Sequence, residues 1–231
     1  MVGTGVSVYD ELGVRRVINA QGNRTVLGGS TPAGQVLEAM ESANLHYVEM
    51  AELLDKSGEY IADLLGTEGA YVTSGCGAAL ALSAAACIAG SDPDKVLQLP
   101  DVTGMRHEIL IQRQQRYSYD RCLSSTGGKL IEIGDENGCT VEQLEAAITS
   151  RTAAVAYLVR QDEKPGALSL EETVRIAHSN GLPVIADAAA QNYPTDYFLT
   201  NARSADLVCF GAKYFGAPHS TGFLCGKKDL V

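Results

Sequence analysis

The apolar positions of this chain change their spacing repeatedly, and each change marks a predicted element. Short, nearly continuous runs of Val, Ile, Leu and Ala are typical of strands, whereas apolar residues three and four apart are typical of helices. The pattern predicts strands at Gly69–Thr73, Glu108–Ile111, Leu130–Ile133, Ala153–Val159, Val184–Ala186 and Leu207–Phe210, with a final strand after residue 222. It predicts helices at 32–47, Ala51–Leu65, 74–90, Val141–Ile148 and Leu170–Asn180.

Local signals support two of these helices. Pro32 is expected at the first helical position, where its missing N–H costs nothing. Ser169 followed by Glu172 is a capping-box pattern, and Gly181 follows the end of the same helix. Strands and helices therefore alternate along the chain.

The later strands, AAVAYLV and LPVIADAAA, are apolar at almost every position. Strands of this kind are buried on both faces, which is typical of parallel sheets covered by helices. The sequence predicts an α/β fold: a three-layer αβα sandwich around a mostly parallel sheet. Ligands of such sheets bind beyond the carboxyl ends of the strands, so the residues that follow each strand are the candidates for function.

Composition narrows the choice of partners. The 231 residues carry 18 basic and 28 acidic side chains, a net charge of -10, which argues against a nucleic-acid partner. No apolar run is long enough to span a membrane, and no basic segment followed by an apolar stretch opens the chain. The six cysteines are scattered without C-x-x-C spacing, so we expect no metal site and a cytoplasmic location.

Glycines and a serine follow the first strand, in the segment Ser74-Gly75-Cys76-Gly77, and a helix begins there. Free N–H groups and the helix dipole make such a helix start a site for an anion. The segment lacks the third glycine of a dinucleotide fingerprint, because position 80 is Leu, and it lacks the Lys of a P-loop. The alternative is a glycine-rich turn that only allows close packing.

A carboxylate and an amine follow two later strands. Asp187 ends VIAD, and a charge beside a buried strand requires a cationic partner. Lys213 follows LVCFGA, where small neighbours favour covalent chemistry over a solvated role. Taken separately, Asp187 could be a turn residue and Lys213 a surface charge. Together with the anion site they match pyridoxal phosphate, which requires a phosphate cradle, a carboxylate for its ring nitrogen and a lysine for its aldehyde.

At these residues the sequence resembles the selenocysteine-synthase-like group of fold-type-I pyridoxal-phosphate enzymes, which includes selenium transferases and D-glucosaminate-6-phosphate ammonia-lyases. The resemblance extends from YDELGVRRVINAQGN and LGGSTP through YVTSGCGAALALSAAACIAG to PVIADAAA and GAPHSTGFLCGKKDLV. It is stronger to the lyase-like branch. It implies the large domain of the aspartate-aminotransferase-like fold at 31–231, an N-terminal arm at 1–30 and a homodimer or larger homo-oligomer. Because relatives continue into a small C-terminal domain, we expect the chain to be an incomplete enzyme.

The resemblance also implies roles. Lys213 would carry the cofactor covalently and move the substrate Cα proton, and Asp187 would keep the ring nitrogen protonated. Ser74, Gly75 and Cys76 would bind the phosphate. For Cys76, the helix start could also lower the thiol pKa, but we predict no catalytic role for it.

Further candidates rest on position. Gly29 and Ser30 would border the substrate entrance, although their segment could be an ordinary turn. Arg113 could receive a substrate carboxylate or phosphate, or form a solvated ion pair. Gln161, which follows Ala153–Val159, could contact the ring oxygen of the cofactor. His219 could contact the substrate or the phosphate, or be a structural loop residue.

The chain departs from its relatives at three places. Phe210 stands where a phosphate-binding Ser is common, Tyr214-Phe215 where many members carry an Arg after the lysine, and His219 where Gln is usual. The leading hypothesis is a pyridoxal-phosphate lyase that removes ammonia from an amino acid or amino-sugar acid. The alternatives are an aminotransferase or β-replacement enzyme, a non-catalytic relative that retains the fold, and a nucleotide-binding Rossmann domain.

Overall fold

One mixed sheet forms the centre of the protein in the computed structural model, which describes residues 7–161 and 164–231. The described strands are β1 (Gly69–Thr73), β2 (Glu108–Gln112), β3 (Lys129–Ile133), β4 (Thr152–Leu158), β5 (Val184–Asp187), β6 (Leu207–Gly211) and β7 (Gly222–Gly226). They lie in the order β1-β7-β6-β5-β4-β2-β3. Strands β2 to β6 pair in parallel, and β7 runs antiparallel to β1 and β6 on either side of it, so β1 shares the direction of β2 to β6.

Helices connect and cover these strands. The described α-helices are α1 (Val8–Glu11), α2 (Gly34–Ala43), α3 (Met50–Leu65), α4 (Cys76–Ala89), α5 (Pro93–Gln98), α6 (Val141–Ala147), α7 (Leu170–Ser179) and α8 (Thr195–Asn201). The capping box of α7 forms, with the Glu172 amide donating to Ser169 Oγ at 3.2 Å. The predicted α/β fold and mostly parallel sheet are therefore confirmed.

The predicted helix at 32–47 is too long at both ends. Helix α2 begins at Gly34, so Pro32 lies outside the helix rather than at its first position, and it ends at Ala43. No residue of α2 is buried, so no packing contact extends it. Three short helices, α1, α5 and α8, were not predicted.

Strand side chains alternate between two apolar layers, as the nearly continuous apolar runs predicted. On one face they pack with α3, α6 and α7; this layer includes Leu110, Val155, Ala186, Val208 and Phe210. On the other face they pack with α4; that layer includes Ile109, Ala154, Ile185, Leu207 and Cys209. Since both faces are covered, the polar end of each strand is where a ligand can approach the sheet.

The N-terminal segment reaches across the loop that carries Lys213. The Asn23 side-chain amide donates to the carbonyl oxygen of Lys213 at 2.8 Å, and Ser30 Oγ donates to the carbonyl oxygen of Ala217 at 2.5 Å. A short 3-10 helix, Thr25–Leu27, lies between these contacts. The division of the chain at residue 30 into an arm and a large domain stays a prediction.

The described part of the chain contains neither a membrane-spanning helix nor a cluster of metal ligands. None of its helices has the length and apolar character needed to cross a membrane. Its His, Cys, Asp and Glu side chains form no cluster of three or more that could hold a metal ion.

Candidate cofactor-binding site

A cleft of about 260 Å³ opens at the carboxyl ends of β1, β5 and β6. Six of the residues selected from the sequence line it: Ser74, Gly75, Cys76, Asp187, Lys213 and His219. They come from strand ends that lie far apart in the chain, and the common direction of β1, β5 and β6 brings them to one edge of the sheet. The predicted convergence of three strand ends is therefore observed.

The start of α4 forms one side of this cleft. Gly75 is the N-cap residue of α4, and no side chain caps the helix. The first N–H groups of a helix have no partner inside it, and the helix dipole adds positive potential there. Thr73 Oγ1 donates to the Gly75 carbonyl oxygen at 3.0 Å, which orients the turn, and the exposed Ser74 hydroxyl lies beside it. This part of the cleft has the donors that a phosphate group requires.

Asp187 lies at the base of the cleft and is 5% exposed. Its Oδ1 accepts hydrogen bonds from the Ala189 amide at 2.9 Å and from the Cys76 thiol at 3.6 Å, and its Oδ2 accepts one from the Tyr117 hydroxyl. Burial raises the pKa of this carboxyl, while these hydrogen bonds oppose the rise. None of the ion pairs among the described residues includes Asp187. A buried carboxylate without a protein cation that faces a cleft is suited to a cationic ligand group.

The Cys76 thiol is not activated by its position. Burial raises the pKa of Cys76 well above its ordinary value, and the nearby Asp187 carboxylate raises it further. The lowered thiol pKa suggested by the helix start is therefore wrong, because desolvation outweighs the helix dipole here. Cys76 acts as a hydrogen-bond donor to Asp187.

Lys213 enters the cleft from the 3-10 helix Ala212–Phe215, which directly follows β6. Its Nζ donates to Thr25 Oγ1 at 2.6 Å and lies 5.1 Å from the centre of the Tyr214 ring. The lysine is thus partly exposed and is held at the cleft by the N-terminal segment. A primary amine in this position can react with a carbonyl compound bound in the cleft.

Phe210 lies on the opposite face of the sheet. Since Cys209 faces α4, the next residue of β6 points to the other layer, where the fully buried Phe210 ring packs 5.1 Å from the rings of Phe198 and Phe223. Its side chain therefore does not fill the phosphate end of the cleft. A Ser at this position would also face away from the cleft, so the departure from the common Ser neither obstructs the site nor removes a donor from it.

Gly29 and Ser30 lie behind the cleft rather than in its lining. Gly29 packs so closely against the His219 ring that a side chain at position 29 would overlap Nδ1. Ser30 is bound to the loop through Ala217. Both residues thus support the loop that presents His219 to the cleft, and their predicted contact with substrate stays a prediction.

Arg113 and Gln161 do not line the cleft. Arg113 is more than half exposed and its Nε lies 3.8 Å from Glu132 Oε1, the solvated ion pair that was the alternative for this residue. The Gln161 side chain is exposed and donates to the Tyr193 carbonyl oxygen at 2.8 Å.

Two hydrogen bonds of the site were not predicted from the sequence: the one between Tyr117 and Asp187 and the one between Lys213 and Thr25. Tyr117 follows β2 in a loop, and Thr25 belongs to a mostly exposed segment, so neither shows a periodic or motif signal. For Tyr117, the sequence indicates a place near the site only through its position, because it follows a strand that ends at the same sheet edge.

Taken together, the fold and the site define an α/β protein in which a buried carboxylate, a lysine and an uncapped helix start line one cleft. The family model described as Aminotransferase class-V matches residues 42–231. The chain therefore belongs to the aminotransferase class-V family.

Individual relatives agree with this assignment. The chain is 37% identical to "D-glucosaminate-6-phosphate ammonia lyase" of Salmonella typhimurium over 97% of its own length and 62% of the relative. It is 36% identical to "5'-C-glycyluridine monooxygenase-decarboxylase" of Streptomyces sp over 99% of its length and 58% of the relative. It is 25% identical to "L-seryl-tRNA(Sec) selenium transferase" of Nautilia profundicola over 93% of its length and 51% of the relative. The chain thus spans between about half and three-fifths of these relatives.

Solved structures are similar as well. The structure titled "D-Glucosaminate-6-phosphate Ammonia-lyase" superposes with a TM-score of 0.90 at 35% identity, covering 100% of this chain and 62% of that one. The pyridoxal-5'-phosphate-dependent protein YhfS from Escherichia coli superposes with a TM-score of 0.55 at 14% identity, covering 77% of this chain and 45% of that one, a similarity of fold alone. The predicted resemblance is confirmed, with the fold of pyridoxal-phosphate-dependent proteins.

Proposed function

We propose that this chain binds pyridoxal phosphate and forms the cofactor-binding part of a lyase that releases ammonia from an amino acid or amino-sugar acid. The observation that carries the proposal is the single cleft shared by Lys213, Asp187 and the start of α4. The 37% identity to an ammonia lyase over 97% of the chain favours this reaction class.

Each part of the cleft fits one part of the cofactor. The uncapped start of α4 and the Ser74 hydroxyl suit its phosphate. The Asp187 carboxylate, which forms no ion pair with the described residues, suits its protonated ring nitrogen. Lys213 Nζ suits its aldehyde. When bound, the cofactor withdraws electrons from the substrate carbon that carries the amino group, so that this carbon can lose a proton.

The residues of this chain then have distinct tasks. Lys213 would hold the cofactor through its aldehyde, and its Nζ, when free, would act as the base for the proton on the substrate Cα. Thr25 gives the free amine a hydrogen-bond acceptor. Asp187 keeps a negative charge next to the ring nitrogen, in surroundings where burial strengthens electrostatic pairing.

Cofactor binding is tested by absorbance and covalent trapping. The purified 231-residue chain, mixed with pyridoxal phosphate, is expected to gain a visible absorption band that borohydride reduces, leaving the cofactor mass on a peptide containing Lys213. Lys213→Ala should lose both signals, whereas Lys228→Ala, a change at an exposed lysine, should retain them. Retention of the trapped adduct in Lys213→Ala would contradict the assignment.

The reaction class is tested by product balance. A lyase releases ammonia and a 2-oxo acid in equal amounts without an amino acceptor, whereas an aminotransferase requires the acceptor and a β-replacement enzyme requires a nucleophile. Amino acids and amino-sugar acids, with and without a phosphate group, are the substrates to compare. Cofactor binding without turnover of any of them would favour the non-catalytic relative.

The 36% identity to a monooxygenase-decarboxylase over 99% of the chain supports a second candidate activity. Oxygen uptake and carbon dioxide release with a glycyl nucleoside would identify it. If the chain has this monooxygenase-decarboxylase activity, it is not expected to release ammonia and a 2-oxo acid from amino-sugar acids. The two activities are therefore separable in parallel assays.

We also propose that the protein is a homo-oligomer. The apolar side chains of Ile18, Leu45 and Tyr47 are 98%, 76% and 107% exposed in the single chain. Contact with a second copy of the chain would remove these apolar side chains from water, which favours association. Light scattering after gel filtration should give at least twice the 24.4 kDa mass of the chain; a monomer would contradict this proposal.

A further inference from the structure

We propose that Tyr117 is a positioning residue for the cofactor ring: its hydroxyl holds Asp187 in the orientation that faces the ring nitrogen. The inference rests on the proposed binding of pyridoxal phosphate. It concerns a residue outside the strand-end motifs, in the loop between β2 and β3.

The geometry places the Tyr117 hydroxyl on one oxygen of the Asp187 carboxylate, while the Ala189 amide and the Cys76 thiol occupy the other. Each of the two carboxylate oxygens therefore has at least one hydrogen-bond donor. The Ala189 amide is part of the chain next to Asp187 and the thiol is a weak donor at 3.6 Å. The Tyr117 hydroxyl is the strong side-chain donor of the set.

Other titratable groups lie near Asp187, but none of those named here supplies a charge to it. Cys76 faces it from α4, Cys209 from β6, Cys122 from the loop after β2, and Tyr214 from the lysine loop. Burial raises the pKa of each of these groups, so they stay neutral at physiological pH and supply no charge to Asp187.

Lys213, in the same cleft, directs its Nζ to Thr25 instead. The protonation state of the Asp187 carboxylate is thus set by burial, which raises its pKa, and by its hydrogen bonds, which oppose that rise.

Loss of the Tyr117 hydroxyl should weaken cofactor binding and leave the fold unchanged. The carboxylate would lose one donor and become easier to protonate, because hydrogen bonds to the charged form favour that form. A protonated or misdirected Asp187 pairs less well with a cationic ring nitrogen. The cofactor should therefore bind less tightly, and the pairing should fail at a higher pH than in the wild-type protein.

The test compares Tyr117→Phe with Tyr60→Phe, a change at an exposed tyrosine of α3. For Tyr117→Phe we expect the dissociation constant for pyridoxal phosphate to rise by up to about ten-fold, the change that corresponds to a rise of about one unit in the pKa of Asp187. The acid-side transition of the bound cofactor's visible spectrum should move to higher pH. Tyr60→Phe should match the wild-type protein in both measurements.

A double-mutant cycle separates positioning from a general structural effect. In an Asp187→Asn background, Tyr117→Phe should have much less effect on the dissociation constant than it has in the wild-type protein. Additive effects, or a wild-type pH profile in Tyr117→Phe, would overturn the inference while leaving cofactor binding intact. If the wild-type chain itself binds no pyridoxal phosphate, the proposed function fails instead.

Discussion

Gly222 connects the two halves of the site, and replacing it with alanine should damage both. It lies in β7 between Thr73 of β1 and Gly211 of β6, next to the anion site on one side and the lysine strand on the other. A Cβ atom there would lie 2.5 Å from the carbonyl carbon of Gly75 and 2.7 Å from the amide nitrogen of Cys76. The obstacle is backbone, which cannot rotate away as a side chain can.

The size of the effect follows from these distances. Nonbonded carbon atoms prefer a separation of about 3.5–4.0 Å, so the start of α4 must move by roughly 1 Å. Such overpacking costs about 1–3 kcal/mol of folding free energy. The same movement shifts the Cys76 amide from its place at the anion site. Loss of one hydrogen bond to a charged phosphate, about 1.5–3 kcal/mol, weakens cofactor binding about ten-fold or more.

Urea unfolding of the empty protein and absorbance titration with pyridoxal phosphate measure the two effects separately. Gly34→Ala is the matched control, because a Cβ at Gly34 has no atom within 4 Å. We expect Gly34→Ala to equal the wild-type protein in cofactor binding and to match or slightly exceed it in stability, because alanine favours a helix more than glycine does. If Gly222→Ala also equals the wild-type protein in both, the close approach of β7 to α4 is not a constraint and the argument is refuted.

Three further outcomes follow from the site. Phe210→Ser should not strengthen phosphate binding, because the side chain lies in the aromatic layer away from the cleft. It should lower the free energy of unfolding in urea by about 3–5 kcal/mol. Tighter cofactor binding in this variant would contradict the placement of Phe210. Asp187→Asn should raise the melting temperature of the empty protein at neutral pH. Burial raises the pKa of Asp187 in the folded state, so the buried charge destabilises the fold above that pKa, and this destabilisation disappears as the pH falls through it. The gain should therefore shrink in acid, and a gain independent of pH would argue against a charge effect. Cys76 should react slowly with iodoacetamide at pH 8, since burial and Asp187 raise its thiol pKa; labelling as fast as in the urea-unfolded chain would refute that statement.

The parts of the site that were predictable are those attached to strands. An apolar run fixes where a strand ends, and a parallel sheet brings those ends to one edge, so Asp187 and Lys213 could be placed together from sequence. The same reasoning missed that Phe210 faces away from the cleft, although the two-residue period of β6 contains that information.

Other features had weaker signals or none. Helix α5 has an Asp92 cap and Pro93 in its first turn, a recognisable start that was overlooked. Helix α8 has no side-chain cap and follows Pro194, so its sequence gives little warning of a helix. Tyr117 and Thr25 contact their partners through loop geometry, which depends on the whole fold rather than on local spacing.

The position of β1 at the sheet edge has a consequence for the order of folding. Within the described sheet, β1 pairs with β7 alone, so the strand that leads into the anion site joins the sheet through residues about 150 positions later in the chain. Contacts so distant in sequence form slowly and late. During synthesis, the other strands can pair while β1 and α4 have no complete partner. The cleft can therefore assemble only after residues 222–226 have left the ribosome, so cofactor capture would report that β7 has joined the sheet.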